Sequence, residues 1–196
     1  MQQKGYFFTK SLSMGFIRHL RLRFHRYFLN RERQQVQRTP RSVNWEDAGY
    51  IGILFDATDL NKRQTVLQYS QRLKAQGRKV KLLGYFHVDQ NDPNFTFRYF
   101  NRKQLDWALR PATPEVKAFI EEPFDLLLNI DPATRVHSEY IALLSRAALK
   151  VGPYTKNTDC YDLMIDPADS GNVKAFIQQV ESLLKKTQIR HAAAQV

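Results

Sequence analysis

The chain has 196 residues, 43% hydrophobic and 12% aromatic, with a formal net charge of +11 and one cysteine, Cys160. That length and apolar content suit one packed domain with an appendage and exclude a chain disordered throughout. A lone cysteine excludes an internal disulfide and a multi-cysteine zinc site, so a reducing, cytoplasmic setting is expected; no apolar run reaches the roughly 18 to 20 residues of a membrane span, and no secretory signal core is present.

Charge is concentrated at the start of the chain. Residues 1–41 carry ten Lys or Arg against one acid, Glu32, which is +9 of the +11; the rest is nearly neutral. Over residues 11–33 the spacing predicts a helix. Phe16, Ile17, Leu20, Phe24, Tyr27 and Phe28 fall within about a third of its circumference, and Arg18, His19, Arg21, Arg23, His25 and Arg26 lie mostly outside it. Four uses fit such a basic amphipathic helix. Its aromatic face can pack on the chain's own domain; it can lie on an anionic membrane surface or in a partner's groove; its arginines can meet RNA or DNA phosphates; or it can be an organelle transit peptide. Glu32 to Arg41 has no apolar anchor and reads as a hinge or frayed helix end broken at Pro40.

A single α/β domain is predicted over residues 43–187. Tyr50 to Phe55 reads as a buried strand ending in Asp56-Ala57-Thr58-Asp59, followed by a helix from Leu60 to Gln76 that Asp59 caps and Gly77 ends. Val80 to Phe86 is the next strand. Residues 88–112 are less regular, with a turn at Asp89 to Asn94 and an exposed or edge strand at Phe95 to Phe100; a flap, an edge hairpin or an interface would fit. A short helix over Glu115 to Glu122 leads into Leu126 to Ile130, whose apolar run, broken only by Asn129, marks a central strand covered on both faces. Val136, Tyr140, Ile141, Leu144 and Ala147 or Ala148 then share one helical face, and Lys150 to Pro153 ends the unit as a strand. Tyr161 to Ile165 is the fifth parallel-strand candidate. Asn172 to Lys186 is the closing helix, and the tail beyond Thr187 is expected to fray. Repeated strand-helix-strand units predict right-handed crossovers and a three-layer, doubly wound, mainly parallel sheet of about five strands, flavodoxin-like or Rossmann-like.

In order and spacing, IGILFDATD at 51–59, FDLLLNID at 124–131, YIALLSRAALKVGPY at 140–154, YDLMID at 161–166 and the closing FIQQVESLL helix resemble a small Bacteroidota family known only as a domain of unknown function. The resemblance covers residues 43–186 and implies a single domain; it brings no activity, substrate or catalytic residue.

Parallel α/β architecture places sites at the carboxyl ends of strands, where strand order reverses. The residues there are Asp56, Thr58, Asp59, His87, Asp131, Thr134, Tyr154 and Thr155. Asp56 and Asp131 are expected to lie close together, able to hold Mg²⁺ or to act as acid and base, with His87 a further candidate; the plainer role for each aspartate is to cap a helix or loop amides. Known motifs fail. There is no G-x-G-x-x-G or G-x-x-x-x-G-K-[ST], the D-A-T-D run lacks the carboxylate spacing of haloacid-dehalogenase-like phosphatases, the receiver-like FDLLLNIDP lacks the paired acids and following lysine, and Ser138 and Ser145 have no nucleophile elbow. No cofactor is implied. The sequence therefore favours a non-catalytic binding or adaptor protein, cytoplasmic or peripheral at the inner membrane. It would dock through Arg18, Arg21, Arg23 and Arg26 with Phe16, Leu20 and Phe24 on a protein partner, an anionic membrane surface or RNA. The alternative is a small enzyme or nucleotide or sugar binder at Asp56, Asp131 and His87.

Overall fold

Alternate side chains of the first strand, β1 (Tyr50–Asp56), feed two different cores. Ile51, Ile53 and Phe55 enter one apolar layer and Leu54 enters the other. This two-sided burial is why the strand reads as an almost unbroken apolar run. The computed structural model describes residues 5–41, 43–89, 94–167 and 171–193, with the side chains of 5–14, Arg18 and 187–193 outside the description.

The remaining strands are β2 (Lys79–Phe86), β3 (Arg98–Asn101), β4 (Leu126–Asn129), β5 (Leu149–Pro153) and β6 (Leu163–Ile165). They form a six-stranded sheet in the order β3-β2-β1-β4-β5-β6. Every neighbouring pair is parallel. That is the Rossmann-type order rather than the flavodoxin-type one. The strand beyond the expected five is β3, which joins the sheet at its edge with Phe97 and Phe100 buried.

Five helices complete the layers: α1 (Gly5–Arg33), α2 (Leu60–Ala75), α3 (Pro114–Glu121), α4 (Val136–Leu144) and α5 (Val173–Ala193). On one side of the sheet, Val66, Tyr69 and Leu73 of α2 and Phe176, Ile177, Val180 and Leu184 of α5 cover Ile51, Ile53, Leu126 and Leu128. On the other, Val116 and Phe119 of α3 and Tyr140 and Ile141 of α4 cover Leu54, Leu83 and Leu127. Outside this second layer, α1 lies against α4.

Local signals account for several boundaries. Asp59 caps α2 by accepting from the Lys62 amide at 2.8 Å, and Gly77, at φ +82°, supplies the left-handed residue that ends it. Thr113 caps α3 by accepting from the Val116 amide. Helix α4 stops at Leu144 instead of continuing to Ala147, because buried Lys150 on β5 reaches back to the carbonyls of Ala142 (2.6 Å) and Leu143 (3.3 Å). Asn129, the one polar residue of β4, donates to the Tyr161 hydroxyl at 2.7 Å. Gly152 lets the Tyr161 ring lie directly on β5, since a Cβ there would sit 2.5 Å from it.

The packed face of α1 is not the aromatic one. His25 and Leu29 are buried, with Leu22 and Glu32 half-buried beside them, whereas Phe16, Ile17, Phe24 and Tyr27 are exposed on the other side. Polar bonds seat the helix: Arg21 donates to the Trp107 carbonyl (2.7 Å), His25 donates from Nδ1 to the Ala108 carbonyl (2.8 Å), and Glu32 accepts from Arg110 (2.7 Å) and from the Tyr140 hydroxyl. The stretch from Glu32 to Arg41, read from the sequence as a hinge or frayed helix end, is tied to the domain. Arg38 donates to the carbonyls of Ala147 and Ala148 and pairs with Asp162, and Arg41 pairs with Asp125.

Candidate functional site

The chain leaves β1 toward one face of the sheet and β4 toward the other, so a crevice opens between their carboxyl ends. Asp56, the last residue of β1, and Asp131, two residues past β4, both face it. Asp56 Oδ1 accepts from the Thr58 amide (2.9 Å), and Asp131 Oδ1 accepts from the Ala133 amide (3.0 Å), the local turn-capping role expected of aspartates at such ends. Their other oxygens meet on Arg135. Its Nη2 lies 2.8 Å from Asp56 Oδ2 and its Nε 2.5 Å from Asp131 Oδ2. His87 Nε2 approaches Asp56 Oδ2 at 3.3 Å, and the His87 amide donates to Thr58 Oγ1 at 2.9 Å.

The two aspartates are therefore adjacent but bridged. The place a cation would occupy between them is filled by the Arg135 guanidinium, and no group of three or more His, Cys, Asp or Glu able to hold a metal lies among the described residues. The environments push the carboxyls apart. At Asp56 burial acts to raise the pKa, but bonds from Thr58 and the charges of Arg135 and His87 outweigh it and hold the group below the usual carboxylate range. At Asp131 burial outweighs Arg135 and the group is raised. Such a split is what acid and base pairs need, yet a structural ion pair produces it equally well.

Arg135 and His137 complete the cluster, and sequence reasoning named neither as a site residue. The i, i+4 spacing of Asp131 and Arg135 was a signal, but it spans a loop into the N-cap of α4 and so looks like two loop charges. His137 lies in the first turn of α4, its ring 3.9 Å from that of Tyr85 and 5.6 Å from that of Phe100. Its Nε2 is buried without a hydrogen bond among the described residues, and burial, with the nearby Arg135 charge, lowers its pKa to about 3. It is a neutral aromatic spacer at neutral pH.

The candidates on α1 separate into two groups. Arg21 faces the domain through Trp107, and Phe24 is only half free, its ring edge-on to Trp107 at 5.3 Å. Phe16, Arg23 and Arg26 are exposed and Leu20 half-buried, while the side chain of Arg18 lies outside the described residues. Among the described residues no helix is long and apolar enough to cross a membrane.

No curated protein matches the chain. A family described as a family of unknown function, DUF6913, matches residues 21–187, from the packed half of α1 through most of α5. With its whole parallel sheet inside that match, the chain belongs to the DUF6913 family.

Proposed function

We propose that this is a non-catalytic docking protein, cytoplasmic and peripheral, that rests on an anionic membrane surface through α1. The observation that carries the reading is the uncovered apolar stripe: Phe16 is 69% and Tyr27 60% exposed, with Ile17 and Phe24 beside them, on the side of α1 turned away from its seat. Arg23, Arg26 and Arg31 are also exposed. Aromatic groups flanked by arginines suit a helix lying in the headgroup plane, its opposite face held by the domain. RNA is less well supported, because Arg21, Arg33, Arg38 and Arg41 are already engaged on the domain's own carbonyls and carboxylates. The alternative, catalysis or sugar binding at Asp56, Asp131 and His87, is also less well supported, because Arg135 fills the space between the carboxylates.

The test is co-flotation of the intact protein with vesicles of phosphatidylglycerol and phosphatidylcholine, against phosphatidylcholine alone, at low and moderate salt. Binding is expected only with the anionic lipid, weakened by salt, and reduced ~10-fold or more by Phe16→Ser with Tyr27→Ser or by Arg23→Glu with Arg31→Glu. Asp56→Asn leaves it unchanged. Absence of binding, or binding indifferent to the stripe, overturns the reading; capture of an acidic protein under the same stripe dependence moves it to a partner groove.

A further inference from the structure

Beside α1, on the flank away from the aromatic stripe, lies an open groove of about 750 Å³. One wall is α1, the floor is α4 and the far wall is the loop that follows β5, so the groove opens at the carboxyl edge of the sheet on the β5 side of the Asp56–Arg135–Asp131 cluster. Its floor is apolar, with Leu22 and Leu29 from α1 facing Val136 and Leu143 from α4. The far wall is held in place at two points. Thr134 Oγ1 donates to the Tyr154 carbonyl (3.2 Å), and Thr155 Oγ1 donates to Glu139.

The ionisable groups of the groove are unequally engaged. Glu139 accepts from Thr155, Asp159 is paired with Arg33 at 2.6 Å, and His25 is bonded to Ala108. That leaves Arg26 on one wall and Lys156 on the other, both exposed and without a partner among the described residues. Tyr154, which also lines the groove, presents a ring that is 58% exposed. Two free cations across a preformed cleft, an unstacked aromatic ring and an apolar floor match a ligand with an anionic end and a flat ring system. The volume lies within the range of small-molecule sites.

We infer that this groove binds a nucleoside monophosphate, its phosphate between Arg26 and Lys156 and its base on Tyr154. Arginine and lysine both suit a phosphate, and stacking on an exposed tyrosine is tolerant of which base is offered. The site is separate from Asp56 and Asp131 and does not depend on membrane docking.

Isothermal titration of the full-length protein with AMP, adenosine, ribose 5-phosphate and inorganic phosphate, without vesicles, tests it. AMP is expected to bind more tightly than any of the three fragments. Arg26→Glu and Lys156→Glu each weaken AMP by ~10-fold or more, and Tyr154→Ala weakens it by ~5-fold or more while leaving phosphate binding unchanged. All three side chains are exposed, so the variants keep the wild-type melting temperature. No heat or amide shift with AMP at about 1 mM overturns the inference. So does binding that ignores the charge reversals, or adenosine binding as well as AMP. The membrane reading is judged separately, by the vesicle experiment with Phe16 and Tyr27.

Discussion

Arg135 sets what Asp56 and Asp131 are to each other. With the guanidinium between them they form a three-membered ion cluster, only partly open to solvent on every member. Removing one partner of such a cluster leaves uncompensated buried charge, so Arg135→Ala is expected to cost about 3–5 kcal/mol in urea unfolding at neutral pH. Adding Asp131→Asn should recover a substantial part of the loss, since it removes the more buried carboxylate. If the single variant is as stable as the wild type, the cluster is not structural and the crevice returns as a site. Asp56, Asp131 and His87 were legible in the sequence because apolar strand runs stop at them. Arg135 and His137 were not, because their partners come from other strands: Asp56 lies 79 positions before Arg135, and the Tyr85 and Phe100 rings that enclose His137 sit on β2 and β3.

Among the elements, α1 was legible as a helix, while the face it turns to the domain was left open between several readings. Hydrophobicity assigns the aromatic stripe to a core, yet the helix is seated mainly by side chains that composition marks as solvent-facing. His25 and Arg21 reach loop carbonyls, and Glu32, the only acid in the first 41 residues, accepts from Arg110 and Tyr140. Phe28 joins through the Arg110 guanidinium, 4.1 Å from its ring centroid. The receiving loop, Trp107 to Arg110, lies within residues 88–112, which the sequence showed as less regular, so no pattern announced it. Glu32→Gln keeps the shape and loses the charge at a half-buried site. It should loosen α1 by about 1–3 kcal/mol, visible as faster amide exchange at Arg26 to Leu29 with little change in the sheet. Phe16→Ser should change neither, because that ring touches no part of the core. Equal protection in Glu32→Gln and wild type would mean that Leu29 burial and the Arg21 and His25 bonds hold the helix without the Glu32 charge.

Over the whole molecule, these buried groups give a stability that depends on pH, with opposing contributions at each end of the scale. His137 is lowered by burial from 6.5 to about 3, so between those values the unfolded chain binds a proton that the folded one refuses, and stability falls as the solution is acidified. Asp56, held below the usual range, acts in the same direction, while Asp131, raised by burial, opposes both. On the alkaline side Lys150, lowered by burial and by Arg38 to about 8, is charged in the unfolded chain and neutral in the folded one up to 10.5, so its contribution rises with pH over that window. Cys160, raised by burial to about 12, works the other way above 9. On the acid limb His25, also lowered by burial, adds to His137, so a variant is used to isolate the His137 part. Replacing His137 by Leu keeps an apolar filler against Tyr85 and Phe100 and removes the titration. From pH 6.5 to pH 4.5 the wild type should lose on the order of 2–3 kcal/mol more unfolding free energy than His137→Leu, at roughly 1.4 kcal/mol per pH unit. Parallel curves for the two proteins would show that His137 takes up its proton in the folded state, through an acceptor such as Asp56 turning toward it. The cluster at the sheet's switch point would then rearrange with pH rather than stay locked by Arg135.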